Sequence, residues 1–348
     1  MRLCCMADRR LHVIGSYPAD TAEQAMREML RRAGRHLAYL PDGETGERRE
    51  WIAHIIRSLR GHPDLELRQD GSWSTYADPL TFRVRRGHRL TGASLDFGHV
   101  AAYAQARPVF ERLRSEFGRP GLAFQVGIPG DLDMAMFALG RTGPFTHRQP
   151  FTDAAVREIE DIHRRAGDEV LFQLEVPAEQ VFVAMAPWPL RAAVARWTGG
   201  GIAELARRAP AGARFGVHLC LGDLAHEALT RIADAGPLVA LANAIARRWP
   251  AGRSLEFLHL PLAAGDDQPS LDRAFHAPLR GLRLPPHTRI VAGLLHEART
   301  AEEHRQVLAT VEDAVGAPVD VAASCGLGRR NRLAAEHTLE RGVELCEA

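Results

Sequence analysis

Eight short β-rich segments, spread along the whole chain and separated by helical patterns or long insertions, constrain this sequence more than any other feature. They are Leu11–Pro18 (LHVIGSYP), His36–Glu44 (HLAYLPDGE), Gly121–Gly130 (GLAFQVGIPG), Glu169–Pro177 (EVLFQLEVP), Arg214–Gly222 (RFGVHLCLG), Ser254–Pro261 (SLEFLHLP), Arg289–His296 (RIVAGLLH) and Val319–Gly328 (VDVAASCGLG). Helical patterns such as TAEQAMREMLRRAG (Thr21–Gly34) and TAEEHRQVLATVEDAVG (Thr300–Gly316) lie between them. Strands that alternate with helices build a parallel sheet, and eight such units are the number that closes a (β/α)8 barrel. The expected fold class is therefore α/β, a single TIM barrel spanning residues 1–348. The stretch Leu65–Leu90, which contains TFRVRR, reads as a hairpin inserted after the second strand.

Composition removes several functional classes. A hydrophobic fraction of 46% is ample for a large core, and 348 residues fit one barrel with insertions. A net charge of +1 gives no reason to invoke nucleic acid or an anionic membrane, and 6% aromatics are too few for a base-stacking face. No apolar run approaches the ~18 residues of a membrane-spanning helix. The opening MRLCCMADRRLHV lacks the long apolar stretch of a secretory signal. Five cysteines in a chain of this size favour free thiols over a disulfide framework. The expectation is a soluble, cytoplasmic protein with no nucleic-acid or membrane partner.

Barrel enzymes carry their chemistry where strands end at the C-terminal face. The unusual polar residues of this chain fall mostly late in the expected strands or just after them: Ser16, Glu44, Glu175, His218, Cys220, Glu256, His296 and Cys325. Taken singly, a buried Cys is a small hydrophobe and a strand His a hydrogen-bonded core residue. Ser16 in GSYP fits a turn, and Glu44 in DGETGE fits a solvated loop. Taken together, they place polar groups at one end of successive strands. In FGVHLCLGD, strand alternation points His218 and Cys220 to the same side. With Glu256 and Cys325 they supply one imidazole, one carboxylate and two thiolates, a donor set for tetrahedral Zn²⁺ rather than for Mg²⁺ or Ca²⁺. Ligands spread over three strands suit an active-site metal better than a closed structural one.

The same stretches carry a resemblance to the catalytic barrel of the cobalamin-independent methionine synthase family, within the superfamily that includes uroporphyrinogen decarboxylase. IGSYP resembles that family's IGSFP, which implies that Ile14 and Ser16 hold a substrate carboxylate. DGETGER resembles its GEPER stretch and FQLEVPAE its Q-[IV]-D-E-P-A segment, which implies that Glu44 and Glu175 bind a substrate amino group. HLCLGD resembles HMCYS, LEFLH resembles IETS and SCGLGRR resembles DCGLKTR. The implied zinc ligands are then His218, Cys220, Glu256 and Cys325. GLLHEAR resembles DIHSPR and gives His296 the role of acid or proton relay.

What the resemblance implies is zinc-dependent methyl or alkyl transfer to a small thiol such as homocysteine. The family's folate-facing tryptophan motif is replaced here by GIPGDLDMAM, whose Asp131 and Asp133 are expected to repel a polyglutamate tail. The second barrel that helps bind folate in the full-length synthases is also missing from this sequence. The expected donor is therefore another molecule, a corrinoid or corrinoid protein among the candidates. Two alternatives stand beside this reading. One is a lyase or decarboxylase of the same superfamily, with or without zinc. The other is a non-catalytic, zinc-stabilised binding protein. Cys4, Cys5 and Cys346 read as incidental.

Overall fold

The structure is a computed structural model that describes residues 8–50 and 52–348, so Cys4 and Cys5 lie outside the described residues. Ten strands occur among them: β1 (Leu11–His12), β2 (Tyr39–Pro41), β3 (Leu65–Gln69), β4 (Thr81–Val84), β5 (Ala123–Pro129), β6 (Val170–Glu175), β7 (Arg214–His218), β8 (Ser254–Pro261), β9 (Arg289–Leu295) and β10 (Asp320–Ala323). Eight of them form one parallel sheet in the order β1-β10-β9-β8-β7-β6-β5-β2. This is a (β/α)8 barrel, and each of its strands falls inside one of the eight segments read from the sequence. Strands β3 and β4 form a separate antiparallel pair between the second and third barrel strands.

Local signals explain where the helices begin. Thr21 caps the helix Ala22–Ala33 through its side chain, which accepts from Gln24 N–H at 3.2 Å. Thr300 and Glu303 form a capping box at the start of Ala301–Val315, and Gly316 ends that helix in the left-handed conformation. Each device satisfies orphan N–H or C=O groups that a helix terminus leaves open.

The barrel is sealed by side chains where the ladder is interrupted. Strands β1 and β2 are not paired to each other. Just beyond them, Tyr17 N–H donates to Gly43 O at 2.8 Å. Inside, the Gln125 amide donates to Val13 O and Ile14 O at 2.9 and 2.6 Å, and the Gln173 amide donates to Ile14 O at 2.7 Å. His12 donates through Nε2 to Gln173 Oε1 at 2.8 Å. The carbonyls that a missing neighbour strand leaves open are thereby satisfied from within the barrel, where no water would replace them.

Strand alternation sets the inner layers. Ala123 on β5, Leu171 on β6 and Phe257 on β8 form the inner apolar cluster with Ile14, Tyr39, Val291 and Ala322. Phe257 packs at a tilt against His12 at 4.3 Å and Tyr39 at 5.5 Å between ring centroids. Gln125, Gln173 and Phe257 fill the middle, and two residues further along their strands stand Gly127, Glu175 and His259. One face of each strand thus runs from apolar floor to polar mouth.

Gly216 on β7 faces this inner layer, and a side-chain carbon there would overlap the Phe257 ring. Gly216→Ala is expected to cost about 1–3 kcal/mol through overpacking. A chemical-denaturation midpoint unchanged from that of the unmodified protein would contradict this packing.

Candidate metal and substrate site

His218 is the last residue of β7, buried, with its ring facing the barrel interior. Its Nδ1 lies 2.8 Å from His259 Nδ1, and His259 Nε2 lies 3.0 Å from Ala323 O. A carbonyl only accepts, so His259 Nε2 carries a proton. Burial lowers the His259 pKa to about 3, so that ring is neutral and its Nδ1 is an acceptor. His218 must therefore donate from Nδ1. Burial also holds His218 well below its ordinary pKa, so it too is neutral and its Nε2 keeps a free lone pair. That Nε2 is buried and has no hydrogen-bond partner. Gly293 makes the arrangement possible, because a Cβ there would come within 2.5 Å of His259 Nε2.

The orphaned lone pair has two sulfur neighbours. His218, Cys220 and Cys325 each offer a ligand atom, and these atoms lie within 4.8 Å of one another. The sulfurs are 3.7 Å apart, well beyond a disulfide bond, and both cysteines are free. Gly222 N–H donates to Cys220 Sγ at 3.3 Å. One thiol donates to the other. The bond to Cys325, then burial, pushes the Cys220 thiol well up, while that same bond draws Cys325 below the usual thiol range. An unpaired imidazole nitrogen beside a thiol pair of this kind is a donor set that fits Zn²⁺. His259 would be the outer partner that fixes the ligand's tautomer, a role common to histidine metal ligands.

Glu256 is not part of this group. A bulge offsets β8 from β7 at this point: Leu255 pairs with Phe215, and Phe257 with the next residue, Gly216. Glu256 lies three residues before His259, about 10 Å back along the strand. There its carboxylate accepts from Tyr39 Oη at 2.6 Å and from Arg214 Nη2 at 2.9 Å, at the N-terminal end of the barrel. The expected third ligand is instead an internal ion pair, and among the described residues the cluster holds three donors. His296 is also displaced from its expected role. Its Nδ1 accepts from Ala298 N–H and its Nε2 donates to Gly265 O, both at 3.2 Å. With both nitrogens engaged by backbone, it does not line the cavity.

Ile14, Ser16, Glu44 and Glu175 do line it, together with His218, Cys220 and Cys325. The cavity measures about 710 Å³ including its open mouth. Ser16 is buried; its hydroxyl accepts from Gly328 N–H at 3.2 Å and its carbonyl from Leu327 N–H at 2.8 Å, which ties the first strand's end to the loop carrying Cys325. Glu44 adopts a positive φ of 42°, a conformation non-glycine residues rarely hold, and its N–H donates to Asp42 Oδ1 at 2.9 Å. Its carboxylate meets Glu175 above Gly127, where a Cβ would lie 2.7 Å from Glu175 Oε1 and 3.2 Å from Glu44 Oε1. Burial raises the Glu44 pKa to about 7, an effect that Arg48 opposes. Burial, then the Glu44 charge, pushes Glu175 well above the carboxylate range, although Gln173 donates to it at 2.9 Å. Among the described residues neither carboxylate is in an ion pair, Arg48 pairing with Asp42 and Arg329 with Asp223.

Sequence reasoning missed several members of the cavity. Trp73 and Tyr76, from the loop joining β3 to β4, form part of its wall with Phe137, Leu224 and Leu229. The Trp73 ring meets Phe137 edge-on at 5.2 Å, and Tyr76 Oη accepts from Leu224 N–H at 3.1 Å. Arg329 also lines the cavity. Asp131 and Asp133 do not. Asp131 accepts from Arg148 and Thr152, both at 2.6 Å, and Asp133 is fully buried, accepting from Ala178 N–H at 2.5 Å. Their expected repulsion of a donor tail has no exposed charge behind it.

No family model and no curated protein matches the chain. Solved structures do. A B12-independent methionine synthase from a Shewanella species, in complex with selenomethionine, is 14% identical, with a TM-score of 0.60 over 97% of this chain and 96% of that one. A putative vitamin-B12-independent methionine synthase from Listeria monocytogenes is 11% identical, with a TM-score of 0.50 over 96% of each chain. A methyltransferase from Methanosarcina mazei is 12% identical, with a TM-score of 0.50 over 94% of this chain and 87% of that one. At such identities the likeness establishes a shared fold.

The donor geometry makes a discriminating expectation. Purified protein should take up about one Zn²⁺ per chain. Cys220→Ser and Cys325→Ser should each lose most of it, whereas Glu256→Gln should keep its full complement. Metal analysis showing zinc loss in Glu256→Gln, or full retention in both cysteine variants, would contradict the three-donor site.

Proposed function

We propose that this chain is a zinc-dependent enzyme that transfers a methyl or related alkyl group to the sulfur of a small amino-acid thiol such as homocysteine. The observation that carries the proposal is the meeting, in one cavity at the strand ends, of the unpaired His218 Nε2, the Cys220–Cys325 pair and the carboxylates Glu44 and Glu175. The fold shared with two methionine synthase-like proteins and a methyltransferase supports the same reading. His218, Cys220 and Cys325 would hold the metal, which when bound would stabilise the substrate sulfur as a thiolate.

The chain's own residues supply position and environment. Glu44 and Glu175 would take the substrate ammonium, each becoming ionised as the cation enters. Ser16, tied to the Cys325 loop, would fix the distance between that contact and the thiols. Trp73, Phe137, Leu224 and Leu229 give the second reactant an apolar, water-poor wall. The new sulfur–carbon bond would form as the donor–carbon bond breaks, the donor keeping the electron pair and the thiol proton passing to solvent. The lining offers four acids, Glu44, Glu50, Glu175 and Asp223, against one cation, Arg329. A polyanionic folate tail finds no cationic track there, so the donor is proposed to carry no such tail, methylcobalamin being the first to test.

Zinc-loaded protein should methylate homocysteine with methylcobalamin and show negligible turnover with triglutamyl methyltetrahydrofolate. Efficient turnover with the folate would reverse the donor assignment, and absence of methylation with any donor would remove the methyltransferase reading. A second test isolates the ammonium contact. Glu44 must be charged to bind it, and its pKa stands near 7. Affinity for methionine, which has no titrating thiol, should therefore rise as pH goes from about 6 to about 8. In Glu44→Gln the affinity should be weaker by about ten- to a hundredfold at the upper pH, with a flatter profile. Calorimetric titrations that superimpose for the two proteins would show that Glu44 does not read the amino group.

A further inference from the structure

We infer that Arg329 is the group that recognises the carboxylate of the acceptor, and so restricts the enzyme to amino-acid thiols rather than simple thiols or aminothiols. The inference rests on the reading of the cavity as a thiol-binding site. It also places the carboxylate contact on Arg329 rather than on Ile14 and Ser16, where it was expected.

Charge balance is the first reason. Among the described residues, Arg329 is the only Lys or Arg side chain lining a cavity that also presents Glu44, Glu50, Glu175, Asp223 and the Cys220–Cys325 pair. The other charged side chains of this lining, Glu44, Glu50, Glu175 and Asp223, are carboxylates that would repel an anion. The Ile14 carbonyl cannot bind an anion and already accepts from both Gln125 and Gln173. The second reason is unused capacity. A guanidinium has five N–H donors. Among the described residues the Arg329 side chain makes one hydrogen bond, a long one from Nη1 to Asp223 Oδ2 at 3.4 Å. With its side chain 17% exposed, it keeps access to the cavity although most of it is buried. It lines the same cavity as the thiol pair Cys220 and Cys325 and the carboxylates Glu44 and Glu175.

Such a cavity reads three features of one molecule. The carboxylate pair Glu44 and Glu175 suits an ammonium, Arg329 suits a carboxylate through paired N–H donors, and the His218–Cys220–Cys325 corner suits a sulfur. An α-amino acid with a short thiol side chain carries all three. Asp223 holds Arg329 in place without saturating it, so the fork remains available to a ligand.

The test compares L-homocysteine with 3-aminopropane-1-thiol, the same molecule with hydrogen in place of the carboxylate, on the full zinc-loaded chain. Calorimetry on the unmodified protein should show homocysteine binding about ten- to a hundredfold tighter. Arg329→Leu should bring the two thiols to nearly equal affinity by weakening homocysteine alone, and Arg329→Lys should restore part of the preference. Zinc content and retained binding of the aminothiol report that the variant site is intact. Should Arg329→Leu not fold, homocysteine amide on the unmodified protein gives the same answer: its affinity should drop to that of the aminothiol. A full preference for homocysteine in Arg329→Leu, or an amide that binds as tightly as the acid, would overturn the inference. Equal binding of homocysteine and the aminothiol to the unmodified protein would overturn it and leave the thiol-site reading standing. Binding of neither would overturn both.

Discussion

The hydrogen bond between His218 and His259 is the contact on which the candidate site depends. It runs between two neutral rings, and its direction is set from the far end, where the Ala323 carbonyl can only accept. That one constraint passes through His259 and leaves a lone pair on His218 Nε2 beside the sulfurs of Cys220 and Cys325. Burial contributes by keeping both imidazoles uncharged. A charged His218 would offer no lone pair and would turn a donor set for a cation into a cation of its own. The barrel supplies the geometry, because β7, β8 and β10 are held in one parallel sheet with β9 between the last two. Gly293 on that intervening strand leaves the space His259 needs.

Electrostatics then divides the cavity. At one end stand the carboxylates Glu44 and Glu175, both raised above the usual carboxylate range by desolvation, and Glu175 also by the Glu44 charge. At the other a thiol pair is joined by a hydrogen bond, and Arg329 lines the same cavity. Each region is costly when empty, because a buried charge or polar group without a partner carries a desolvation penalty of about 1–3 kcal/mol or more. A ligand with complementary charges relieves several such penalties at once. This is how the cavity would favour a zwitterion with a sulfur atom over molecules that satisfy only one of its regions.

Much of this was legible in the sequence, and the exceptions have physical causes. Eight strand segments were visible because β-branched and apolar runs alternate with well-capped helices, Thr300 with Glu303 being an example. The pairing of His218 with Cys220 followed from alternation at the end of one strand. Glu256 misled because a bulge shifts the register of β8 by one residue, and a bulge leaves no mark in composition. His259, in the same segment, was passed over for that reason. His296 ends an expected strand, yet backbone groups brought in by two separate loop segments consume both its nitrogens. Asp131 and Asp133 looked like surface charge, but Arg148 and Thr152, some twenty residues later, neutralise the first, and Ala178 N–H accounts for the second. Trp73 and Tyr76 come from the loop between β3 and β4, whose path over the barrel mouth depends on tertiary packing alone. Arg329 was visible as one of two adjacent arginines, but only the folded cavity shows that it is the cation there.

The most direct test of the account is zinc X-ray absorption on the loaded protein, with and without homocysteine. Two sulfurs and one nitrogen from the protein, with the sulfur count rising from two to three when the thiol is added, is the result expected from a site made of His218, Cys220 and Cys325 that takes a substrate sulfur. A spectrum with no sulfur ligation, or one whose sulfur count does not change at saturating homocysteine, would contradict it.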